Sequence, residues 1–88
     1  MNPIAAKIPV RVLFFGRLKE VMGMAQDLTE IPDLSTLEQI FAFYAARQPE
    51  LAKYRSSLVV SLNQEFAPWS AVVHPGDEVA FLPPVSGG

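Results

Sequence analysis

Two strongly apolar stretches of this chain stand near its opposite ends, Ile8–Phe15 and Glu78–Leu82. Each is short and rich in valine and phenylalanine, so each reads as a buried strand rather than a helix. Strands this apolar belong where neighbours cover both sides, so the first and last strands are expected in the centre of a sheet. Pro9 fits only near the start of its strand, where no ladder donor is required.

The segments between fill in the rest. Leu18, Val21 and Met22 repeat at helical spacing, and Gly23 suits a helix C-cap. Gln26–Ile31 is a second strand, polar enough for an edge, and Pro32-Asp33 breaks it. Ser35 and Glu38 have capping-box spacing. Leu37, Ile40, Phe41, Tyr44 and Ala45 then line one face of a long helix. Pro49 stops it or starts a short extra turn. Leu58–Leu62 is a third strand and Asn63-Gln64-Glu65 a turn, since asparagine tolerates the left-handed conformation. Phe66–Trp69 adds a short strand, and His74-Pro75-Gly76-Asp77 is a strong turn signal. The expected fold is an α+β roll of the β-grasp (ubiquitin-like) kind. It has a mixed sheet of four to five strands with one long helix packed on one face. Residues 1–7 form a loose N-terminal arm, 8–82 the domain, and 83–88 an extended tail ending in Gly-Gly.

Composition narrows the function classes. Eighty-eight residues, half of them hydrophobic, support one domain with one modest core. The chain has no cysteine, which excludes disulfides and thiolate metal sites. A formal net charge of −2 with scattered basic residues argues against nucleic acid as a partner. No segment has the roughly 20 apolar residues of a membrane span, and the first residues lack the apolar region of a signal peptide. A soluble cytoplasmic protein, bound to no membrane, is the expectation.

Alternation assigns faces to the strands. Val10, Val12 and Phe14 share one face of the first strand; Arg11, Leu13 and Phe15 share the other. Val79 and Phe81 oppose Glu78, Ala80 and Leu82 in the last. With the helix over the first set, Leu13, Phe15, Ala80 and Leu82 form an apolar patch on the uncovered face, which Phe66 could extend. An uncovered patch beside a tail suits docking. Partial shielding by the N-terminal arm, or burial by the strand twist, is the competing reading.

The tail is Pro83-Pro84-Val85-Ser86-Gly87-Gly88. The two prolines favour an extended path and reduce the entropy lost when the tail is gripped. Ser86, Gly87 and Gly88 are slim enough to thread a narrow channel. The group delivered at the tip is the Gly88 carboxylate. Against this stands the common case of a frayed Ser-Gly-Gly terminus.

Asp77-Glu78-Val79-Ala80-Phe81-Leu82 joined to that tail resembles the C-terminal signature of the small subunit of molybdopterin synthase, the MoaD family. Val12-Leu13-Phe14-Phe15-Gly16-Arg17-Leu18 is similar to that family's first strand and turn, and Leu62-Asn63-Gln64-Glu65-Phe66 to its Val-Asn-Gln segment. The resemblance spans about residues 8–88. It implies a sulfur carrier. An E1-like adenylating enzyme, related to ubiquitin activators, uses ATP and Mg²⁺ to convert the Gly88 carboxylate to an acyl-adenylate. A sulfur donor then displaces AMP to leave a thiocarboxylate. The charged carrier docks on the large synthase subunit, expected as a heterotetramer, and its tail passes sulfur to cyclic pyranopterin monophosphate. This chain would bind no cofactor itself and would count as an enzyme only with the large subunit, which holds the catalytic pocket. Carried over by position, Gly88 is the modified residue. Pro83, Pro84, Val85, Ser86 and Gly87 thread the channel. Phe15, Phe66, Leu82 and the basic Lys19 contact the partner.

Other readings stay open: a carrier for thiamine, cysteine or tRNA thiolation, a ubiquitin-like modifier joined to lysines, or a β-grasp interaction module with an inert tail. His74 reads as a turn residue, because a metal site would need partners. Trp69 and Tyr54 read as packing.

Overall fold

The computed structural model describes residues 6–83. Along it run β1 (Lys7–Phe14), α1 (Arg17–Met22), β2 (Gln26–Pro32), α2 (Leu37–Arg47), a 3-10 helix (Pro49–Ser57), β3 (Val59–Leu62), β4 (Glu65–Ala67) and β5 (Glu78–Leu82). The five strands make one sheet in the order β2-β1-β5-β3-β4. The two apolar terminal strands are adjacent and parallel, with Val12 opposite Val79 and Phe14 opposite Phe81. The other pairings are antiparallel. This is the expected β-grasp roll, and polar β2 lies at an edge. The arm's first five residues, and Pro84, Val85, Ser86, Gly87 and Gly88 of the tail, lie outside the described residues.

The hydrogen-bond phase of β1 explains its proline. Phe14 N–H donates to the Ala25 carbonyl at 2.9 Å and Asp33 N–H to the Ala6 carbonyl at 2.8 Å. Even-numbered β1 residues therefore bond to β2, and the missing N–H of Pro9 falls on the other side. β5 pairs only from Arg11 onward, so no ladder bond is lost there. The Pro9 carbonyl is still used, accepting from Gly76 N–H at 2.7 Å.

The inward set of each strand meets α2. Val10, Val12, Phe14, Val79 and Phe81 are buried with Leu37, Ile40, Phe41 and Tyr44. Phe81 is the hub. Its ring stacks on Trp69 at 5.9 Å and meets the Phe41 edge at 5.4 Å. Trp69 is thus core packing, in line with expectation. The Tyr44 hydroxyl donates to the Asp27 carboxylate at 2.8 Å, joining α2 to β2. Burial first, and then that bond, push the Tyr44 hydroxyl's pKa well up.

Four local expectations are corrected. The capping box of α2 is Thr36 with Gln39, not Ser35 with Glu38. Ser35 is committed elsewhere: its carbonyl accepts from Val73 N–H at 2.9 Å, and its hydroxyl donates to the Pro32 carbonyl at 2.6 Å. Thr36 is left as the first residue whose side chain can serve the helix. β4 covers Glu65–Ala67 rather than Phe66–Trp69, because Pro68 cannot donate to the ladder. β1 begins one residue early, at Lys7. Pro49 opens a 3-10 helix of nine residues rather than a brief turn.

Candidate docking face and tail root

The sheet face opposite α2 can be rebuilt row by row from the register. Leu13 is opposite Ala80, Ala80 opposite Ser61, and Ser61 opposite Phe66. One step along, Val59 is opposite Leu82, and Phe15 comes directly after the Phe14–Phe81 pair. These two rows place Leu13, Phe15, Val59, Phe66 and Leu82 on one side of the sheet. Phe66 is 80% exposed, Val59 48% and Phe15 44%. Leu13 and Leu82 are half-buried.

The floor between these side chains is different from expectation. Ala80 is only 5% exposed. A methyl group in the central strand is shorter than its Leu13 and Leu82 neighbours, so it forms a floor rather than a knob. Ser61 is buried beside it. Val59 is an addition to the expected patch. Alternation could have found it, since inward-facing Val60 forces Val59 to the other face.

The third row is charged. Arg11 is opposite Glu78, with 4.0 Å between guanidinium and carboxylate. On the adjoining edge strand, exposed Leu28 sits opposite Arg11. A broad open groove of about 820 Å³ runs here, lined by Pro9, Arg11, Leu28, Glu30 and Glu78 among others. It lies at the end of the face away from Pro83.

The tail leaves the sheet beside Phe15. Pro83, its first residue, sits against Gly16 in the β1–α1 turn. Gly16 has φ 57° and ψ −132°, a conformation open to glycine. A Cβ there would lie 3.0 Å from Pro83 Cγ, tighter than ordinary packing. The turn thus lets the chain exit close to the apolar row. Of the predicted threading residues only Pro83 is described.

Lys19 is exposed in α1, and no ion pair among the described residues includes it. Its neighbour Arg17 is engaged, donating from Nε to the Tyr54 hydroxyl at 3.3 Å and pairing with Glu20. The register does not put Lys19 in the apolar rows. It stands instead on the short helix just after Phe15.

The groups with shifted pKa values lie off this face. Arg55 hydrogen bonds hold the Glu38 carboxyl below its usual range, and Arg55 also stacks over the Trp69 ring at 3.6 Å. His74 is exposed in its turn, as expected. Among the described residues no cluster of three metal-binding side chains occurs, and no helix is long and apolar enough to cross a membrane.

Three comparisons bear on this arrangement. The ThiS family model matches residues 12–88. A protein of Arabidopsis thaliana named molybdopterin synthase sulfur carrier subunit is 34% identical over 83 residues, covering 94% of this chain and 86% of that protein. One of the same name from Escherichia coli is 37% identical, covering 90% and 99%. A solved complex of subunits 1 and 2 of the molybdopterin-converting factor from Helicobacter pylori contains a chain with the same fold. Its TM-score is 0.66 at 22% identity, covering 92% of this chain and all of that one.

Proposed function

The chain belongs to the ThiS family, alongside molybdopterin synthase sulfur carrier subunits, and from that premise we propose that it carries sulfur on Gly88 for molybdopterin synthesis. The single observation that supports this best is the adjacency of tail root and apolar rows. Pro83 leaves the sheet beside Phe15, Leu82 and Val59. A partner that grips those side chains has the tail in reach of its own pocket. The tail's five residues beyond Pro83 span at most ~18 Å when extended.

The chemistry divides between carrier and partners. A carboxylate is a poor electrophile, so Gly88 must first be activated. Its oxygen attacks the α-phosphorus of ATP, releasing pyrophosphate and forming an acyl-adenylate. A sulfur nucleophile then attacks the acyl carbon, and AMP leaves. Phosphoryl chemistry of this kind needs positive charge and Mg²⁺ around the nucleotide. The acidic carrier has neither to spare, so an activating enzyme supplies both. The resulting thiocarboxylate is a better nucleophile than a carboxylate at neutral pH. Docked on the large synthase subunit, its sulfur attacks a pyranopterin carbon and an oxygen group leaves that carbon. Water then cleaves the acyl–sulfur bond, so that sulfur stays on the pterin and the Gly88 carboxylate is restored. Two carriers supply the two sulfurs of each dithiolene. The absence of cysteine from the chain suits this role, because no internal thiol can intercept the activated end.

Reconstitution with purified activating enzyme, a sulfide source, the large subunit and cyclic pyranopterin monophosphate tests the reading. Full-length chain is expected to support dithiolene formation. Deleting Gly88 is expected to abolish it and leave the thermal midpoint unchanged, because only the reactive end is lost. Full product yield from the truncated chain would contradict the mechanism.

A further inference from the structure

The stretch Leu62-Asn63-Gln64-Glu65-Phe66 contributes Phe66 to the docking face, but its asparagine has no role in that account. Asn63 and Gln64 are the two central residues of the β3–β4 turn, with φ of 53° and 72°, and Leu62 pairs with Glu65 across it. Positive φ at both positions is the tight hairpin turn whose twist matches the strands, and asparagine is favoured in its first place. Conformation alone would account for asparagine there.

Its hydrogen bonds go further than the turn. The Asn63 backbone N–H donates to the Glu78 carbonyl at 2.7 Å. Its side-chain oxygen accepts from Glu78 N–H at 3.0 Å. Its side-chain Nδ2 donates to the Asp77 carboxylate at 3.0 Å. The other Asp77 oxygen accepts from His74 N–H at 2.8 Å, and the Asp77 carbonyl accepts from Arg11 N–H at 3.0 Å. The hairpin tip is therefore tied by one side chain to the start of β5, and through Asp77 to β1.

β4 depends on such a tie. It is three residues long, lies at the sheet edge and pairs only with β3. Phe66, at its centre, is mostly in solvent, so burial of its own ring does not hold it in place. What sets its position in the row with Leu13, Ala80 and Ser61 is the angle of the hairpin.

We infer that Asn63 is a positioning residue for partner docking. Its side chain anchors the hairpin to β5, so that Phe66 is already in line with the other apolar side chains before the large synthase subunit binds. This rests on the carrier reading above. A preset contact residue saves the ordering cost that a loose hairpin would impose at binding.

A double-mutant cycle tests it. Asn63→Gly keeps the positive-φ turn and the backbone bond to Glu78 and removes both side-chain hydrogen bonds, so the hairpin is retained while its side-chain anchor is cut. Binding to the purified large subunit is measured by calorimetric titration for the full-length chain, Asn63→Gly, Phe66→Ala and the double variant. Asn63→Gly alone is expected to weaken binding roughly three- to tenfold. In the Phe66→Ala background it is expected to change binding less than about twofold, since the side chain being positioned is gone. Asp77→Ala, which removes one of the two side-chain bonds from its other end, should show the same dependence on Phe66 with a smaller loss. An equal loss in both backgrounds, or none in either, overturns the role of Asn63 while leaving the carrier reading intact. No binding by the unaltered chain overturns both.

Discussion

At the residue scale, the candidate docking face is defined by side chains that the fold could have buried and does not. Phe15 stands next to a fully buried Phe14, and the contrast comes from strand alternation at the sheet's outer face. Phe15→Asp and Leu82→Asp are expected to weaken binding to the large subunit by about 2 kcal/mol each, as for anchors near an interface centre. Phe15→Asp should change unfolding free energy by less than about 0.5 kcal/mol. Val59→Asp is expected to behave like Phe15→Asp. Titration calorimetry and urea unfolding check the two halves separately. Unchanged affinity would mean that partners use another surface. Leu13, Phe15 and Leu82 were legible from alternation alone. Ala80 was misplaced because alternation reports direction, not depth, and a methyl between leucines lies below the surface. On the opposite side, the Glu38–Arg55 pair gives a pH signature. Arg55 lowers the Glu38 carboxyl's pKa in the folded chain. The stability it adds is therefore present above the unfolded carboxylate pKa of about 4.3 and is lost as pH falls through the lower folded value. The urea-midpoint gap between the unaltered chain and Glu38→Gln is expected to be larger at pH 6 than at pH 3. A gap that grows toward acid would show the opposite linkage.

At the element scale, most boundaries were readable and the exceptions share a cause. Helix α2 shows its apolar face plainly in Leu37, Ile40, Phe41 and Tyr44, all of them buried. Its start is ambiguous in sequence, because Ser35 with Glu38 and Thr36 with Gln39 have the same spacing. The choice is made by Val73, whose N–H occupies the Ser35 carbonyl from a distant loop. No local pattern contains that information. Thr36→Ala removes the cap and is expected to lower unfolding free energy by about 1 kcal/mol, read by urea denaturation. Ser35→Ala should not unlatch the helix start in the same way, since its hydroxyl serves Pro32. Loss of amide protection at Gln39 in Ser35→Ala but not in Thr36→Ala would reverse the assignment. The 3-10 helix from Pro49 to Ser57 shows the same limit. Pro49 marks where α2 must end, whereas the helical path after it depends on Leu51, which is buried in the core shared by the sheet and α2.

At the scale of the whole molecule, two apolar strands from opposite ends of the chain lie side by side and parallel. That brings the end of β1, with Phe15 and Gly16, to the end of β5, where Pro83 begins the tail. The placement of both strands in the sheet centre is a consequence of their apolar character. Their direct pairing is not, because composition says nothing about which neighbour a strand takes. The proposed sulfur chemistry rests on the resemblance of the C-terminal motif to a known family, since glycine and proline have no reactive side chain of their own. In the proposed function, Gly88 is the group that carries cargo. Mass spectrometry of the C-terminal peptide, after incubation of the chain with activating enzyme, ATP and a sulfur source, tests it most directly. The expected result is replacement of one oxygen by sulfur at Gly88, dependent on ATP and absent when Gly88 is deleted. An unmodified carboxylate, or Gly88 joined to lysine side chains of other proteins, would contradict it.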